Sequence, residues 1–265
     1  MIKETYNTQG YYGPVQFLTD LEIDLYSARL LYATKNLDLM NSDYRCKSNV
    51  LFPWIDNLSR HPTILSHVKQ VLGENLHCWD TLIWIKDAET DKFVSWHQDA
   101  TYWNFLPKER GLTVWVSISE AAEDMGCLEY IPGSHKELKH HIDVKDENNL
   151  LMRGQTLETI DKTSSVKVAA PAGSFLMHHP LMFHGSAANT TTKPRLALGL
   201  IYAATDAKPI ATYAPESTIM VSGKDEYNYM LHDPQPTGNW DVDIKSWKAA
   251  YERQHDNYYK MEQLA

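Results

Sequence analysis

The chain has 265 residues, of which 43% are hydrophobic and 11% aromatic, enough to fill the core of one large domain or of two small ones. Its formal net charge of -9 argues against nucleic acid and anionic membranes as partners, because both require a basic surface. Cys46, Cys78 and Cys127 are too few and too widely spaced for a disulfide framework, which predicts reduced thiols. No apolar run has the length of a membrane span or a signal peptide, so we expect a cytoplasmic protein.

Helices are predicted near both ends of the chain. Residues 19–22 (Thr-Asp-Leu-Glu) have the pattern of a capping box at a helix start. Apolar residues follow at helical spacing, namely Leu21, Leu25, Ala28 and Tyr32. A second helix is expected from Pro62 to Gly73, and a third on the outside of the protein over residues 241–265.

From Trp79 onward the sequence consists of short β-rich segments that glycine and proline separate. The segments are 79–85, 93–96, 112–118, 127–131, 166–168, 174–177 and 196–202. Helices followed by many short strands predict a mainly β fold with flanking helices, a double-sheet jelly roll with an N-terminal helical buttress. We expect a single domain over residues 1–265, with a polar, aperiodic insert at about 134–163 that acts as a loop or lid.

A histidine and an aspartate two positions apart follow the apolar segment 93–96. Strand alternation directs His97 and Asp99 to the same side of a strand end. His141 and Asp143 have the same spacing, but they lie in the charged insert, where nothing holds both side chains against one ion. Because 12 histidines and 34 acidic residues produce such triplets by composition alone, the position next to a strand selects His97 and Asp99 as candidate metal ligands.

A third ligand has to come from another strand, and three histidines are candidates. His178 and His179 follow a predicted strand, where a pocket-wall or structural role is at least as plausible. His184 is followed by Gly185-Ser186, and Arg195 begins the next apolar segment. Two imidazoles and one carboxylate form the ligand set of non-haem Fe(II) oxygenases. A guanidinium suits the far carboxylate of 2-oxoglutarate, since it binds a carboxylate through two hydrogen bonds.

Together these segments resemble the phytanoyl-CoA dioxygenase family of Fe(II)/2-oxoglutarate oxygenases, a branch of the double-stranded β-helix (cupin-like) fold. The similar residues occur in family order over residues 93–202, at 97–99, 126–128, 131–135, 171–174, 179–180, 184–186 and 195. By this resemblance the iron ligands are His97, Asp99 and His184. Arg195 pairs with the 5-carboxylate of 2-oxoglutarate, Ser186 shares that carboxylate, and Trp115 lies beside the cosubstrate.

The resemblance also implies the reaction, in which O2 is the second cosubstrate, a substrate C–H bond is hydroxylated, and succinate and CO2 are released. Asp99 favours hydroxylation over halogenation, because related halogenases carry a small residue in its place. Tyr102 and Trp103 follow the metal pair closely and are candidates for the substrate pocket wall, with a place in the core as an equal alternative. Nothing marks a coenzyme A or acyl-carrier site, so we expect a small polar metabolite or natural-product intermediate as substrate, and a monomer or homodimer.

Two other interpretations stay open at this point. A catalytically silent jelly-roll protein that binds a small molecule is disfavoured, because a binder has no need of a cosubstrate anchor such as Arg195. A zinc hydrolase can use the same three ligands, but it leaves Arg195 without a role.

Overall fold

The computed structural model describes residues 2–37, 43–151, 153–210 and 214–260. Residues 261–265 of the predicted C-terminal helix, and Met152 of the predicted insert, lie outside the described residues. The helices are α1 (Ile2–Gln9), α2 (Asp20–Leu37), α3 (Ser48–Leu51), α4 (Pro53–Ser59), α5 (Pro62–Leu72) and α6 (Trp240–Lys260).

The described residues form fifteen strands, most of them short. They are β1 (Tyr11–Gln16), β2 (Leu76–Lys86), β3 (Val94–His97), β4 (Phe105–Leu106), β5 (Gly111–Ser117), β6 (Leu128–Tyr130), β7 (His141–Asp143), β8 (Gln155–Leu157), β9 (Val166–Val168), β10 (Ser174–His178), β11 (His184–Ser186), β12 (Arg195–Ala204), β13 (Lys208–Pro209), β14 (Ser217–Ser222) and β15 (Leu231–His232). The largest sheet has the order β1-β10-β5-β12-β2-β14-β15, and a four-stranded sheet has the order β3-β11-β6-β9. The remaining pairs are β13-β4 and β7-β8.

All seven β-rich segments predicted from the sequence occur as strands, and the segment 166–168 coincides with β9. Five strands of three or more residues lie outside the predicted segments: β1, β7, β8, β11 and β14. β11 consists of His-Gly-Ser and has no apolar alternation, while β1 contains a proline, so neither shows the usual strand pattern.

The chain divides into two compact units, each built from three segments. Unit 1 contains Met1–Asn36, Trp84–Thr101 and Trp115–Leu198; unit 2 contains Leu37–Ile83, Tyr102–Val114 and Gly199–Ala265. The expectation of a single domain stays a prediction.

Unit 1 contains the four-stranded sheet, the β1-β10 pair and the β7-β8 pair. Its core is a cluster of buried apolar side chains, among them Tyr130, Leu176, Met182 and Ala197. Unit 2 contains helices α3 to α6 and the β14-β15 pair, with one buried cluster around Trp79, Trp103 and Phe105 and another around Val50, Ile219 and Trp247.

Helix α2 begins with the predicted capping box. The Glu22 carboxylate accepts a hydrogen bond from the Thr19 backbone N–H at 2.9 Å, and the Glu22 N–H donates to the Thr19 hydroxyl at 3.4 Å. The apolar residues at helical spacing nevertheless lie on the outside, since Leu21 is 77% and Tyr32 71% exposed. α2 buries Leu30 and Ala33 instead.

The insert at 134–163 is more ordered than its composition suggests. Its β7 and β8 pair antiparallel, with His141 opposite Leu157 and Asp143 opposite Gln155. The expectation of an irregular segment is therefore wrong for these residues, whereas the lid function stays a prediction. The side-chain period is too weak in three-residue strands to be visible in a charged sequence.

The cysteines and the helices can be compared with the expectations drawn from composition. All three cysteines are buried and free, as the sequence predicted. None of the described helices has the length and apolarity needed to cross a membrane.

Candidate active site

The register of two short strands in unit 1 brings two of the candidate ligands together. β11 pairs antiparallel with β3 so that His184 lies directly opposite His97, and their ring centroids are 4.1 Å apart. β11 is flanked on its other side by β6, where Tyr130 is the partner of His184. Both histidines are buried, although His97 lies on the edge strand β3 and only His184 lies on an inner strand, β11.

Asp99 completes a group of three potential metal ligands. Its Oδ1 is 3.3 Å from His97 Nε2 and 3.6 Å from His184 Nε2, and the three ligand atoms lie within 4.8 Å of one another. The structure therefore brings together the His97, Asp99 and His184 side chains that the sequence singled out. His141, which was rejected as a ligand, contacts the backbone N–H of Gln98 through Nε2 at 3.0 Å.

Backbone carbonyls orient both imidazoles of this group. His97 Nδ1 lies 2.8 Å from the Ser95 carbonyl, and His184 Nδ1 lies 3.0 Å from the Met182 carbonyl. A carbonyl is an acceptor, so each Nδ1 carries the proton and each Nε2 keeps a lone pair directed at Asp99. Metal-binding histidines show this arrangement, in which the nitrogen that does not bind the metal donates a hydrogen bond.

A hydrogen-bonded chain positions the second oxygen of Asp99. His178 Nε2 donates to Asp99 Oδ2 at 3.0 Å, and the Tyr130 hydroxyl donates to His178 Nδ1 at 3.0 Å. Tyr11, which is the β1 partner of His178, stacks on Tyr130 at 4.7 Å. His178 is thus a positioning residue for Asp99.

The charges of this group match those of a metal site. Burial by itself raises the pKa of Asp99, but the neighbouring His184 and the hydrogen bond from His178 outweigh it and hold this pKa well below its usual range. Burial and the neighbouring His97 lower the pKa of His184 well below its usual value. The group therefore presents an anionic carboxylate beside a neutral imidazole at neutral pH.

Arg195 lies in unit 1 as a buried cation without an acidic partner in the described part of the chain. It is 1% exposed, its Nη1 donates to the Gly126 carbonyl at 2.6 Å and to Ser186 Oγ at 3.1 Å, and its Nε has no hydrogen-bond partner among the described residues. The guanidinium carbon lies 5.3 Å from the centre of the Trp115 ring. Burial lowers the pKa of Arg195 to about 10, which leaves it charged at neutral pH.

Lys86, which sequence reasoning did not single out, lies next to Arg195. It ends β2, is fully buried, and its Nζ donates to Ser186 Oγ at 2.7 Å and to the Ser186 and Ala187 carbonyls. Burial and the charge of Arg195 lower the pKa of Lys86 to about 6. The one signal for Lys86 in the sequence is its position directly after the predicted β-rich segment 79–85.

The Ser186 hydroxyl connects the basic side chains of Lys86 and Arg195. Its hydroxyl accepts from Lys86 and Arg195 and donates to the Gly126 carbonyl at 2.7 Å, so in this structure it positions both cations. A direct contact of Ser186 with a cosubstrate carboxylate stays a prediction. Gly126 is required here, because its φ is +69° and a Cβ at this position would lie 2.2 Å from the Ala187 carbonyl oxygen.

Tyr6 of α1 is a second residue that sequence reasoning missed, because α1 itself was not predicted. Its ring is buried and its hydroxyl has no hydrogen-bond partner within the described ranges. Burial raises the pKa of Tyr6 well above its usual value, and the Asp99 carboxylate adds to the effect. A buried hydroxyl without a partner, close enough to sense Asp99, is a candidate contact for a bound molecule.

The two aromatic residues expected at the substrate lie in unit 2. Trp103 is 2% exposed and packs against Phe105 at 5.2 Å and Trp79 at 6.3 Å, as a core residue does. Tyr102 contacts the Tyr258 ring at 6.1 Å. Their proposed contact with substrate stays a prediction.

The chain is similar to a known protein family and to several curated proteins. The family model described as "Phytanoyl-CoA dioxygenase (PhyH)" matches residues 54–197, more than half of the chain. A "Probable alpha-ketoglutarate-dependent hypophosphite dioxygenase" from Stutzerimonas stutzeri is 32% identical over 184 residues, which cover 66% of this chain and 63% of that protein. The match spans about half the length of the other curated relatives.

Solved structures share the fold. A structure titled "non-heme monooxygenase; ThoJ apo" superposes with a TM-score of 0.88 at 24% identity and covers 100% of both chains. "CytC3 with Fe(II) and alpha-ketoglutarate" superposes with a TM-score of 0.66 at 18% identity and covers 88% of this chain and 92% of that one. The predicted jelly-roll fold class is confirmed by these similarities.

Proposed function

Because the chain belongs to the phytanoyl-CoA dioxygenase family of Fe(II)/2-oxoglutarate-dependent oxygenases, we propose that it hydroxylates an unactivated C–H bond of a small polar metabolite or natural-product intermediate. The coproducts are succinate and CO2. The observation that carries this proposal is the convergence in unit 1 of two imidazoles and one carboxylate, together with the buried Arg195 guanidinium, which lacks an acidic partner among the described residues.

The donor set fits Fe(II). His97, Asp99 and His184 would hold the ion through two Nε2 atoms and one carboxylate oxygen, with both Nδ1 atoms and the second carboxylate oxygen already bonded to the protein. Bound there, Fe(II) supplies the O2 chemistry that side chains cannot perform. Asp99 occupies the third ligand position with a carboxylate, which favours hydroxylation over halogenation.

The neighbouring cations fit the 5-carboxylate of 2-oxoglutarate. An unpaired buried charge is costly, and a carboxylate placed against Arg195 offsets that cost through charge-assisted hydrogen bonds. Lys86 adds a second donor beside it, Ser186 keeps the two cations in place, and Trp115 covers the guanidinium face. Arg195, Ser186 and Trp115 thereby act as the cosubstrate-binding residues, with Lys86 as a fourth.

For the substrate we propose a chemical class, a small polar molecule, and not a single compound. The names of the relatives refer to hypophosphite in one case and to phytanoyl-CoA in another, so family membership alone does not select a substrate. Tyr102 and Trp103 follow Asp99 by three and four positions and are the proposed substrate contacts on that basis. The buried Tyr6 hydroxyl supplies a polar group suited to a polar substrate.

A spectroscopic titration tests the proposal. Protein loaded anaerobically with Fe(II) and 2-oxoglutarate is expected to show a weak visible charge-transfer band and, on exposure to O2, to release succinate. His184→Ala should abolish both signals, whereas His140→Gln, a change at a side chain that is 78% exposed, should leave them intact. Equal bands in wild type and His184→Ala, or succinate release without Fe(II), would contradict the proposed ligands.

A further inference from the structure

Unit 2 contains a second group of two histidines and one aspartate: His77, Asp225 and His232. Their potential ligand atoms also lie within 4.8 Å of one another. All three residues lie outside the segments of unit 1 that form the candidate iron site, so the group is a separate feature of the fold.

Strand register explains why these residues meet. β14 pairs with β2 so that Met220 lies opposite His77, and with β15 so that Thr218 lies opposite His232. Thr218 and Met220 are two positions apart and therefore face the same side of the sheet, which places both histidines on that side. Asp225 belongs to the loop that connects β14 to β15 and lies between the two imidazoles.

The distances suit a metal ion. Asp225 Oδ2 is 3.0 Å from His232 Nε2 and 3.5 Å from His77 Nε2, and the two rings meet edge to face at 5.4 Å. Two ligand atoms bound tetrahedrally to Zn²⁺ at about 2.0–2.1 Å lie about 3.3–3.4 Å apart. The observed separations bracket that value.

His77 is the observation that points to a ligand. Its side chain is 1% exposed, and neither of its ring nitrogens has a hydrogen-bond partner in the described part of the chain. Leaving a buried polar group unsatisfied costs about 1–3 kcal/mol.

The Asp225 carboxylate is oriented toward the two imidazoles. Its Oδ1 accepts hydrogen bonds from the Tyr227 and Asn228 backbone N–H groups, both at 3.0 Å, which leaves Oδ2 directed at the imidazoles. The His232 side chain is 43% exposed, so an ion can enter from solvent and keep water as its fourth ligand.

We propose that His77, Asp225 and His232 bind a Zn²⁺ ion that joins β2, the β14-β15 loop and β15 within unit 2. Two imidazoles and a carboxylate are suitable zinc ligands, and the ion satisfies the buried His77. The ion would attach to β2 and β15 a loop whose neighbouring side chains Lys224 and Tyr227 are exposed to solvent.

Zinc stoichiometry separates this site from the iron site. Metal-free protein titrated with Zn²⁺ is expected to bind two ions per chain, one at each group. His97→Ala/His184→Ala should retain one ion, His232→Ala should retain one, and the triple variant should bind none. His140→Ala, a surface histidine in unit 1, should still bind two. Circular dichroism verifies that each variant is folded.

Protease protection provides a second readout. Trypsin cleavage after Lys224, located by mass spectrometry, should slow at least tenfold when Zn²⁺ is added to His97→Ala/His184→Ala. The same addition should have no effect once His232→Ala is included. A folded His97→Ala/His184→Ala protein that binds no zinc, or a His232→Ala protein that still binds two ions, overturns the proposal. Neither result depends on oxygenase activity, so the proposed function is judged separately.

Discussion

At the scale of single residues, unit 1 combines one anionic carboxylate with two buried basic side chains, the charged Arg195 guanidinium and the Lys86 amine, whose pKa is lowered to about 6. Asp99 directs Oδ1 at His97 and His184, and its Oδ2 accepts a hydrogen bond from His178. Lys86 and Arg195 lie together without an acidic partner among the described residues, an arrangement that destabilises an empty site. This imbalance predicts that an anion belongs beside them.

Replacing the guanidinium should therefore weaken cosubstrate binding. Arg195→Met is expected to raise the Kd for 2-oxoglutarate about 30- to 5,000-fold, since losing one partner of a buried charge pair costs about 2–5 kcal/mol. Isothermal titration of Mn(II)-loaded protein under anaerobic conditions measures the change. Arg110→Met, which removes a half-exposed arginine paired with Asp206, is the matched control. A change below threefold in Arg195→Met would show that 2-oxoglutarate binds elsewhere.

Lys86 should make this binding dependent on pH. Its pKa of about 6 leaves the amine neutral at pH 8, and a bound carboxylate favours the ammonium form and raises that pKa. Binding above pH 6 then takes up a proton, so affinity falls as pH rises, by about tenfold per unit at most. Titrations at pH 8 in two buffers of different ionisation enthalpy measure the uptake. Lys86→Met should abolish it; equal uptake in both proteins would refute this role.

At the scale of elements, very short strands position the site. β11 has three residues, yet its pairing with β3 and β6 sets His184 against His97 and Tyr130. Gln98, between the two candidate ligands of the β3 end, binds the carbonyls of Glu137 and Leu181 through its side-chain amide. The segment after β3 is thus connected to the insert, which supports the proposal that the insert has a functional role.

The turn before β6 offers a test of this positioning. Gly126→Ala should lower the melting temperature and also weaken 2-oxoglutarate binding, because the new Cβ displaces the carbonyls of the Arg195 and Lys86 pocket. Gly73→Ala is the matched control: it also has a positive φ, but nothing lies within 4 Å of its Cβ. The conformational cost is about 1 kcal/mol for Gly126 in the left-handed helical region and about 1–3 kcal/mol for Gly73, whose φ of 94° and ψ of −173° lie in a region nearly exclusive to glycine, so the control carries at least as much backbone strain. Unchanged 2-oxoglutarate affinity in Gly126→Ala would separate the turn from the cosubstrate site.

At the scale of the whole molecule, each compact unit contains its own group of two histidines and one aspartate. The group in unit 1 is accompanied by the Arg195 guanidinium, which has no acidic partner among the described residues, and is proposed for catalysis. The group in unit 2 is partly open to solvent through His232 and is proposed to bind zinc. The overall charge of -9 is compatible with both roles, since a small-molecule enzyme needs no basic surface.

Cosubstrate binding should be visible in the stability of the whole chain. A ligand present at 100 times its Kd stabilises the folded state by about 2.7 kcal/mol. Mn(II) with N-oxalylglycine, an analogue of 2-oxoglutarate, should therefore raise the melting temperature by roughly 5–10 °C. Differential scanning fluorimetry measures the shift, and Asp99→Ala should show less than a third of it. An equal shift in both proteins would mean that the pair binds away from Asp99.

Local patterns in the sequence determined the fold class, the strand segments and the candidate ligands His97, Asp99 and His184. These features are visible because alternation, capping residues and ordered motifs are properties of neighbouring residues. The strands β1 and β11, the helix α1 and the pairing within the insert escaped prediction, since their few residues carry no usable period.

The tertiary structure alone decided which distant side chains meet. Lys86 beside Arg195, Tyr130 behind His178, and His77 against Asp225 and His232 are brought together by strand register and by a loop between strands. Strand pairing determines some of these contacts, and the contact between Tyr130 and His178 joins strands of two different sheets; neither leaves a trace in the spacing of residues along the chain.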